Sequence, residues 1–385
     1  MIIQSERVWI NQQFNPAQLH IHNKKIVNIT SYNSHPVDHD YGKHRIVPGF
    51  IDNHIHGSYG VDTNDADSDG LINVMKGLVS EGVTSFCPTT VTQSKDVLVK
   101  ALKNVAKVSQ QTIKGAQIVG IHLEGPFLNK AFKGAQPEQH IIPSNVDLFK
   151  EFYSASQELI KIITMATELD TDFELTRFCV DRGVVVSIGH SSATYDEAMM
   201  AVAHGASSMT HVFNGMSGLH HRQYNLAGAA HRIQGVYAEI IADGNHVAWP
   251  AIYTLMMAKG PYHNILITDA LSVKGIPHGN YELGEQKIEV KEDGSAYLKG
   301  TNTLSGSTLR MNIGLKNLVE YAQVPFQYAL NAATINPATL LNLGHRKGKL
   351  AYNYDADFVV LDQDYEVIAT YVYGECVYQN KKAVQ

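Results

Sequence analysis

From Ile46 to Asp269 the chain alternates short apolar runs, rich in Val, Ile and Thr, with longer amphipathic stretches. That alternation constrains the fold more than any other feature. The runs are Ile46–Asp52, Thr84–Thr89, Ile118–Glu124, Ile160–Glu168, Val184–His190, Ser207–His211, Val236–Asp243 and Ile265–Asp269, eight in all. Between them, segments such as Asp69–Glu81 and Asp196–His204 repeat apolar residues every three or four positions, as a helix with one buried face requires. Strands apolar on both faces and separated by helices form a parallel sheet covered by helices, and eight of them predict a closed (β/α)8 barrel.

A barrel of this kind uses roughly 250 residues, and the chain has 385. The surplus lies at the two ends, where short β-like runs are broken by turns. Neither end is long enough to bury a core alone. The expectation is therefore a barrel over residues 48–343 and one small β-sandwich domain composed of residues 1–47 and 344–385. A content of 44% hydrophobic and 18% charged residues excludes a disordered chain. The net charge of −6 argues against a nucleic-acid or anionic-membrane partner. Cys87, Cys179 and Cys376 are too few and too scattered for a disulfide framework or a thiolate zinc site. Met1 to Arg7 lacks a basic start leading into a long apolar stretch, and no apolar run approaches the ~18 residues of a membrane span. A cytoplasmic protein is expected.

In a parallel barrel the active site lies at the C-terminal ends of the strands. The functional reading therefore rests on the residues that close each run. The first run leads into His54 and His56, which alternation puts on one side about 7 Å apart, close enough to chelate one ion. The third closes with Glu124, the fifth with His190, the sixth with His211, the seventh with Asp243 and the eighth with Asp269. A single histidine at a strand end is ordinarily hydrogen-bonded structure. Packing does not require ionisable groups to gather at one mouth, and burying them unpaired is costly. Imidazole and carboxylate ligands without thiolates suit Zn²⁺, Fe²⁺, Mn²⁺ or Co²⁺ and do not choose among them. Asp269 ends the most apolar run, which suits a general base beside an activated water; a helix N-cap is its structural alternative. His122 lies one layer below Glu124, as second-layer support or as packing. His204 reads as a surface residue, and Asp62, Asp65, Asp67 and Asp69 as a solvated acidic loop.

The motifs Pro48-Gly-Phe-Ile-Asp-Asn-His-Ile-His-Gly, His122-Leu-Glu-Gly-Pro, Gly189-His-Ser-Ser, Thr210-His-Val-Phe-Asn-Gly, Ala242-Asp-Gly-Asn-His, Thr268-Asp-Ala and Thr303-Leu-Ser-Gly-Ser occur in this order. In that arrangement the chain resembles the amidohydrolase superfamily and, within it, the N-acetylglucosamine-6-phosphate deacetylase family. The resemblance implies metal-dependent hydrolysis of the acetamide of N-acetylglucosamine 6-phosphate to glucosamine 6-phosphate and acetate, in amino-sugar catabolism and recycling. It implies that Glu124, His190 and His211 hold the main metal ion and that His54 and His56 hold a second, with Glu124 bridging. Asp269 is then the general base and acid. The resemblance points to Ala135, Gln136, Asn214, Gly215, Arg222, His246, Leu304, Ser305 and Gly306 as substrate contacts, with Arg222 meeting the phosphate, and to a homodimer. Two positions depart from the family pattern: Gln223-Tyr224-Asn225 stands where Glu-Pro-Gly is usual, and Gln136 stands where some members carry His. They leave open the galacto epimer as substrate and a phosphate site that leans on Arg222, His221 or a partner subunit. A hydrolase of cyclic amides usually carries a carbamylated Lys where this chain has Glu124. A non-catalytic homologue would have lost Asp269 or the ligands.

Overall fold

The computed structural model describes residues 1–283 and 286–380. Eight parallel strands form the barrel: β1 (Phe50–Ile55), β2 (Val83–Thr90), β3 (Ile121–Glu124), β4 (Ile160–Met165), β5 (Val185–Ile188), β6 (Ser208–Met209), β7 (Tyr237–Ile241) and β8 (Asn264–Ile267), each hydrogen-bonded to the next. Beyond the strands, β8 meets β1 through the Asp269 N–H to the His54 carbonyl and the His56 N–H to the Ala270 carbonyl, both 2.9 Å. The seam thus lies at the residues expected to carry the chemistry.

The first apolar run divides at Gly49. Arg45–Pro48 pairs in a different sheet, and Phe50 opens the barrel. A Cβ at Gly49 would lie 2.2 Å from Thr84 Oγ1, so the chain can pass from one sheet to the other there only without a side chain. Both sample helices form. One spans Ser68–Leu78, with the Asp67 side chain accepting the Asp69 N–H, and tightens to a 3-10 turn before Gly82. The other spans Tyr195–Ala203 and is opened by a capping box between Thr194 and Glu197.

The chain ends supply one eight-stranded mixed sheet. Its strands from the N-terminal end (Ile2–Ile10, Gln13–His22, Lys25–Ser31, His39–Asp40, Arg45–Pro48) pair with those from the other end (Phe358–Leu361, Val367–Val372, Glu375–Gln379) through Arg45–Pro48 against Phe358–Leu361. The sheet doubles over its own core: Ile3, Leu19, Ile46, Phe358 and Tyr371 share one cluster. Alternation sends Val47, Val359 and Leu361 to the opposite face, where they join the barrel's apolar cluster. A further small antiparallel sheet (Gly279–Leu283, Gln286–Val290, Ala296–Leu298) follows β8, a feature absent from the expectation drawn from the sequence. Among the described residues no helix is long and apolar enough to cross a membrane.

Candidate active site

Glu124 ends β3, whereas His190, His211 and Asp269 each stand two residues past the end of β5, β6 and β8. Their φ angles are +46°, +28° and +48°, in the left-handed region that non-glycine residues seldom occupy. Each such residue costs of order 1–3 kcal/mol and persists where the surroundings impose it. Here those surroundings are the turns leaving the barrel mouth.

The histidines share one arrangement. His190 Nδ1 lies 2.9 Å from the Phe132 carbonyl oxygen, His211 Nδ1 3.0 Å from that of Asn214, and His56 Nδ1 3.3 Å from that of Thr89. His54 Nδ1 lies 3.0 Å from a carboxylate oxygen of Glu239. Each Nδ1 faces a group that only accepts, so each carries the proton there and turns the Nε2 lone pair into the site. His190 Nε2 and His211 Nε2 lie 3.2 Å apart and 3.3 and 3.2 Å from Glu124 Oε1. His56 Nε2 lies 3.1 Å from Asp269 Oδ1 and 3.2 Å from Glu124 Oε2. His54 Nε2, fully buried, has no hydrogen-bond partner and sits 3.4 Å from Asp269 Oδ1 and 3.6 Å from Glu124 Oε1. Lone pairs and carboxylates converging in this way repel one another unless positive charge lies among them. Three trios have ligand atoms close enough to hold an ion, and two of them, Glu124/His190/His211 and His54/His56/Asp269, face the mouth, while His54/His122/Glu239 lies beneath it. Nitrogen and oxygen donors without sulfur fit a divalent ion of the zinc–iron–manganese–cobalt group.

The electrostatics agree. Burial pushes Asp269 up, but the imidazoles of His54 and His56 outweigh it and hold the carboxyl down at about 2. Burial pushes His54 down, and the carboxylates of Asp269, Glu124 and Glu239 outweigh it, raising it to about 9. The site attracts positive charge, whether as protons or as a metal ion. His122 goes the other way: burial, reinforced by His54, keeps it neutral, with Nδ1 at the Asn53 carbonyl oxygen (3.1 Å) and Nε2 at Thr164 Oγ1 (2.7 Å).

A cavity of about 470 Å³ opens over these groups. Its wall includes His56, Glu124, His190, His211 and Asp269, together with Ala135, Gln136, Asn214, Gly215, His246, Leu304, Ser305 and Gly306. Four expectations need correction. Arg222 does not line the cavity: it is exposed on a tight turn where His220 pairs with Gln223, and its Nη1 lies 2.7 Å from His221 Nε2. Among the described residues no Lys or Arg forms part of the wall. Asp243 does not join the metal-ligating groups but holds His246 Nδ1 at 2.7 Å. The acidic segment is solvated as expected at Asp65, Asp67 and Asp69, which are exposed, but Asp62 is partly buried, and Asp62 and Asp65 line the cavity and cap the turn Thr63–Asp65. Burial pushes the Asp62 carboxyl up to about 6 against the pull of His56. Gln136 reaches the cavity but is committed inward: its Nε2 donates to Glu124 Oε2 (2.6 Å) and its Oε1 accepts the Thr92 N–H (2.9 Å).

Sequence reasoning missed Asn64, Gln93, Gln286 and Asn302 on the wall and Glu239 beneath it. Glu239 had a readable signal, a single carboxylate inside the apolar run Val236–Ile241. Gln286 had none. It reaches the wall because the sheet after β8 folds over the mouth, where its Nε2 donates to the Ala135 carbonyl oxygen.

A family model described as the amidohydrolase family matches residues 45–377. The N-acetylglucosamine-6-phosphate deacetylase of Bacillus subtilis (strain 168) is 40% identical over 345 residues, 88% of this chain and 86% of that protein. The Homo sapiens enzyme of the same name is 39% identical over 357 residues, 90% and 86% of the two chains. Among solved structures, a point mutant of N-acetyl-D-glucosamine-6-phosphate deacetylase from Mycobacterium smegmatis, in complex with N-acetyl-D-glucosamine-6-phosphate, superposes with a TM-score of 0.93 at 30% identity over 98% of this chain and 99% of that one. The Thermotoga maritima N-acetylglucosamine-6-phosphate deacetylase gives 0.89 at 31% identity over 99% and 100%.

Proposed function

The chain belongs to the amidohydrolase family, and from that premise we propose that it hydrolyses the acetamide of N-acetylglucosamine 6-phosphate to glucosamine 6-phosphate and acetate. The observation that carries the reading is the set of four imidazoles with Nδ1 bonded outward and Nε2 turned toward Glu124 and Asp269. The relatives supply the substrate class.

The family is metal-dependent, and Glu124, His190 and His211 would hold the main ion. His54, His56 and Asp269 would offer a second position, and the Glu124 carboxylate faces the histidines of both trios. When bound, a divalent ion supplies Lewis acidity, acidifying a water and polarising the acetyl carbonyl. Asp269, ionised and desolvated, accepts the proton of the attacking water. It then returns that proton to the amide nitrogen as the C–N bond breaks, because an unprotonated amine is a poorer leaving group than hydroxide. Gln136 keeps Glu124 in place. His246, oriented by Asp243, and the Asn214–Gly215 turn line the cavity where the sugar would lie, and Leu304, Ser305 and Gly306 line it where the acetyl group would lie.

The phosphate needs cations, and among the described residues the wall carries no lysine or arginine. Arg222 stands outside, beside Leu219 and Tyr224, which are 51% and 43% exposed. These exposed apolar side chains near an exposed guanidinium support a homodimer in which this turn completes a phosphate site. The net charge and the small-molecule cavity support a cytoplasmic enzyme without nucleic-acid or membrane partners.

The test measures acetate release from N-acetylglucosamine 6-phosphate, its galacto epimer and the unphosphorylated sugar, with metal content determined on the same sample. Release from the first alone is expected. Preference for the epimer moves the substrate, and no release from any of the three overturns the deacetylase reading.

A further inference from the structure

Three of the four inward-facing imidazoles rest their Nδ1 on neutral main-chain carbonyls, those of Thr89, Phe132 and Asn214. His54 alone rests on a carboxylate, that of Glu239. Glu239 lies in the middle of β7, wholly buried. Its Oε2 accepts from His54 Nδ1 at 3.0 Å and from the His211 N–H at 3.4 Å, and its Oε1 accepts from Asn53 Nδ2 at 3.0 Å. No lysine or arginine pairs with it among the described residues. A carboxylate without a permanent cation is expensive inside a barrel, and an apolar side chain would fill the same space more cheaply. Its presence there therefore points to work done through its partners.

We propose that Glu239 is the positioning residue that makes His54 a metal ligand and thereby determines whether the second cation position, His54/His56/Asp269, is filled. An ionised carboxylate only accepts, so His54 carries its proton on Nδ1 and leaves the Nε2 lone pair for the ion. It also makes that lone pair more basic than a carbonyl partner would. The Nε2 atom so prepared is the one buried imidazole nitrogen of this site without a hydrogen-bond partner. Glu239 is not itself a ligand. Although it lies within ligand spacing of His54 and His122, both ring nitrogens of His122 are bonded elsewhere, and His54 offers Glu239 only its protonated nitrogen.

The inference rests on the two-ion reading above, and its test reads metal rather than turnover. Chelator-stripped protein is titrated with Zn²⁺ and the bound metal is counted. Wild type takes two ions. In Glu239→Gln, of nearly the same shape, the ion at Glu124/His190/His211 keeps its affinity, while the second is weakened by ~10–100-fold. His54→Gln loses the same ion, and adding Glu239→Gln to it changes nothing further. Two ions at unchanged affinity in Glu239→Gln overturn the proposal, as does loss of both ions together from a folded variant. Nitrogen-15 spectra of the imidazoles in zinc-loaded wild type need no variant that folds: a proton on His54 Nδ1 is expected, and a proton on Nε2 overturns the assignment. Wild type that binds a single ion removes this proposal and the two-ion reading together, and leaves acetate release as the separate measure of the hydrolase.

Discussion

Asp269 stands past the end of β8 with its carboxylate against His54 and His56, ionised and shielded from solvent. Its position in the motif Thr268-Asp-Ala marked it, but the environment differs from the one expected. Burial alone would raise its pKa, and the two imidazoles reverse the sign. Asp269→Asn should retain the ion at Glu124/His190/His211 and lose turnover by ~10²–10⁴-fold, since the amide can neither take nor return the proton; near-normal kcat with that ion present would remove Asp269 from that role. His54 and His56 were legible because strand alternation alone aligns them. Gln136 was legible as a residue of the site but not in its task, because its partner Glu124 reaches it only after the loop beyond β3 has closed. Arg222 was misplaced because the turn that carries it bends away from the mouth.

At the scale of elements, all eight barrel runs were readable, and their ends were not. β5, β6 and β8 stop two residues short of His190, His211 and Asp269, so left-handed turns rather than alternation aim those side chains. The helix after His190 depends on its capping box, in which Thr194 Oγ1 accepts the Glu197 N–H and Glu197 Oε2 accepts the Thr194 N–H. Thr194→Ala should lower stability by ~1 kcal/mol in denaturant titrations at constant metal. Lys259 ends the helix Trp249–Lys259 buried, its ammonium donating to the Ile233 carbonyl oxygen, and burial pulls its pKa down to about 8. The unfolded chain holds that proton up to ~10.4, so between these values the unfolded state binds more protons and stability rises with pH. Urea midpoints for the wild type should therefore climb between pH 8 and ~10.4 relative to Lys259→Met, and parallel curves would show that this ammonium is not destabilised by folding.

For the whole molecule, the open question of phosphate recognition concerns charge. A dianionic phosphate must find cations, and the cavity wall of one chain has imidazoles but no lysine or arginine among the described residues. Arg222→Ala should raise KM for the sugar phosphate by ~10–100-fold, the worth of a charged hydrogen bond. Sedimentation of the variant separates lost phosphate contact from lost dimer: an unchanged KM would show that this turn does not serve the phosphate. The sequence by itself determined the barrel, the β module drawn from both ends, and the identity of Glu124, His190, His211, His54, His56 and Asp269 as the ionisable groups at strand ends. These follow from local periodicity and from residue chemistry, which the chain carries along its length. Only the tertiary structure decided which nitrogen of each histidine faces the site, that Glu239 lies beneath His54, that Asp62 and Gln286 reach the cavity, and that Arg222 does not. Each of those depends on contacts between residues far apart in the chain, and such contacts exist only once the barrel has closed.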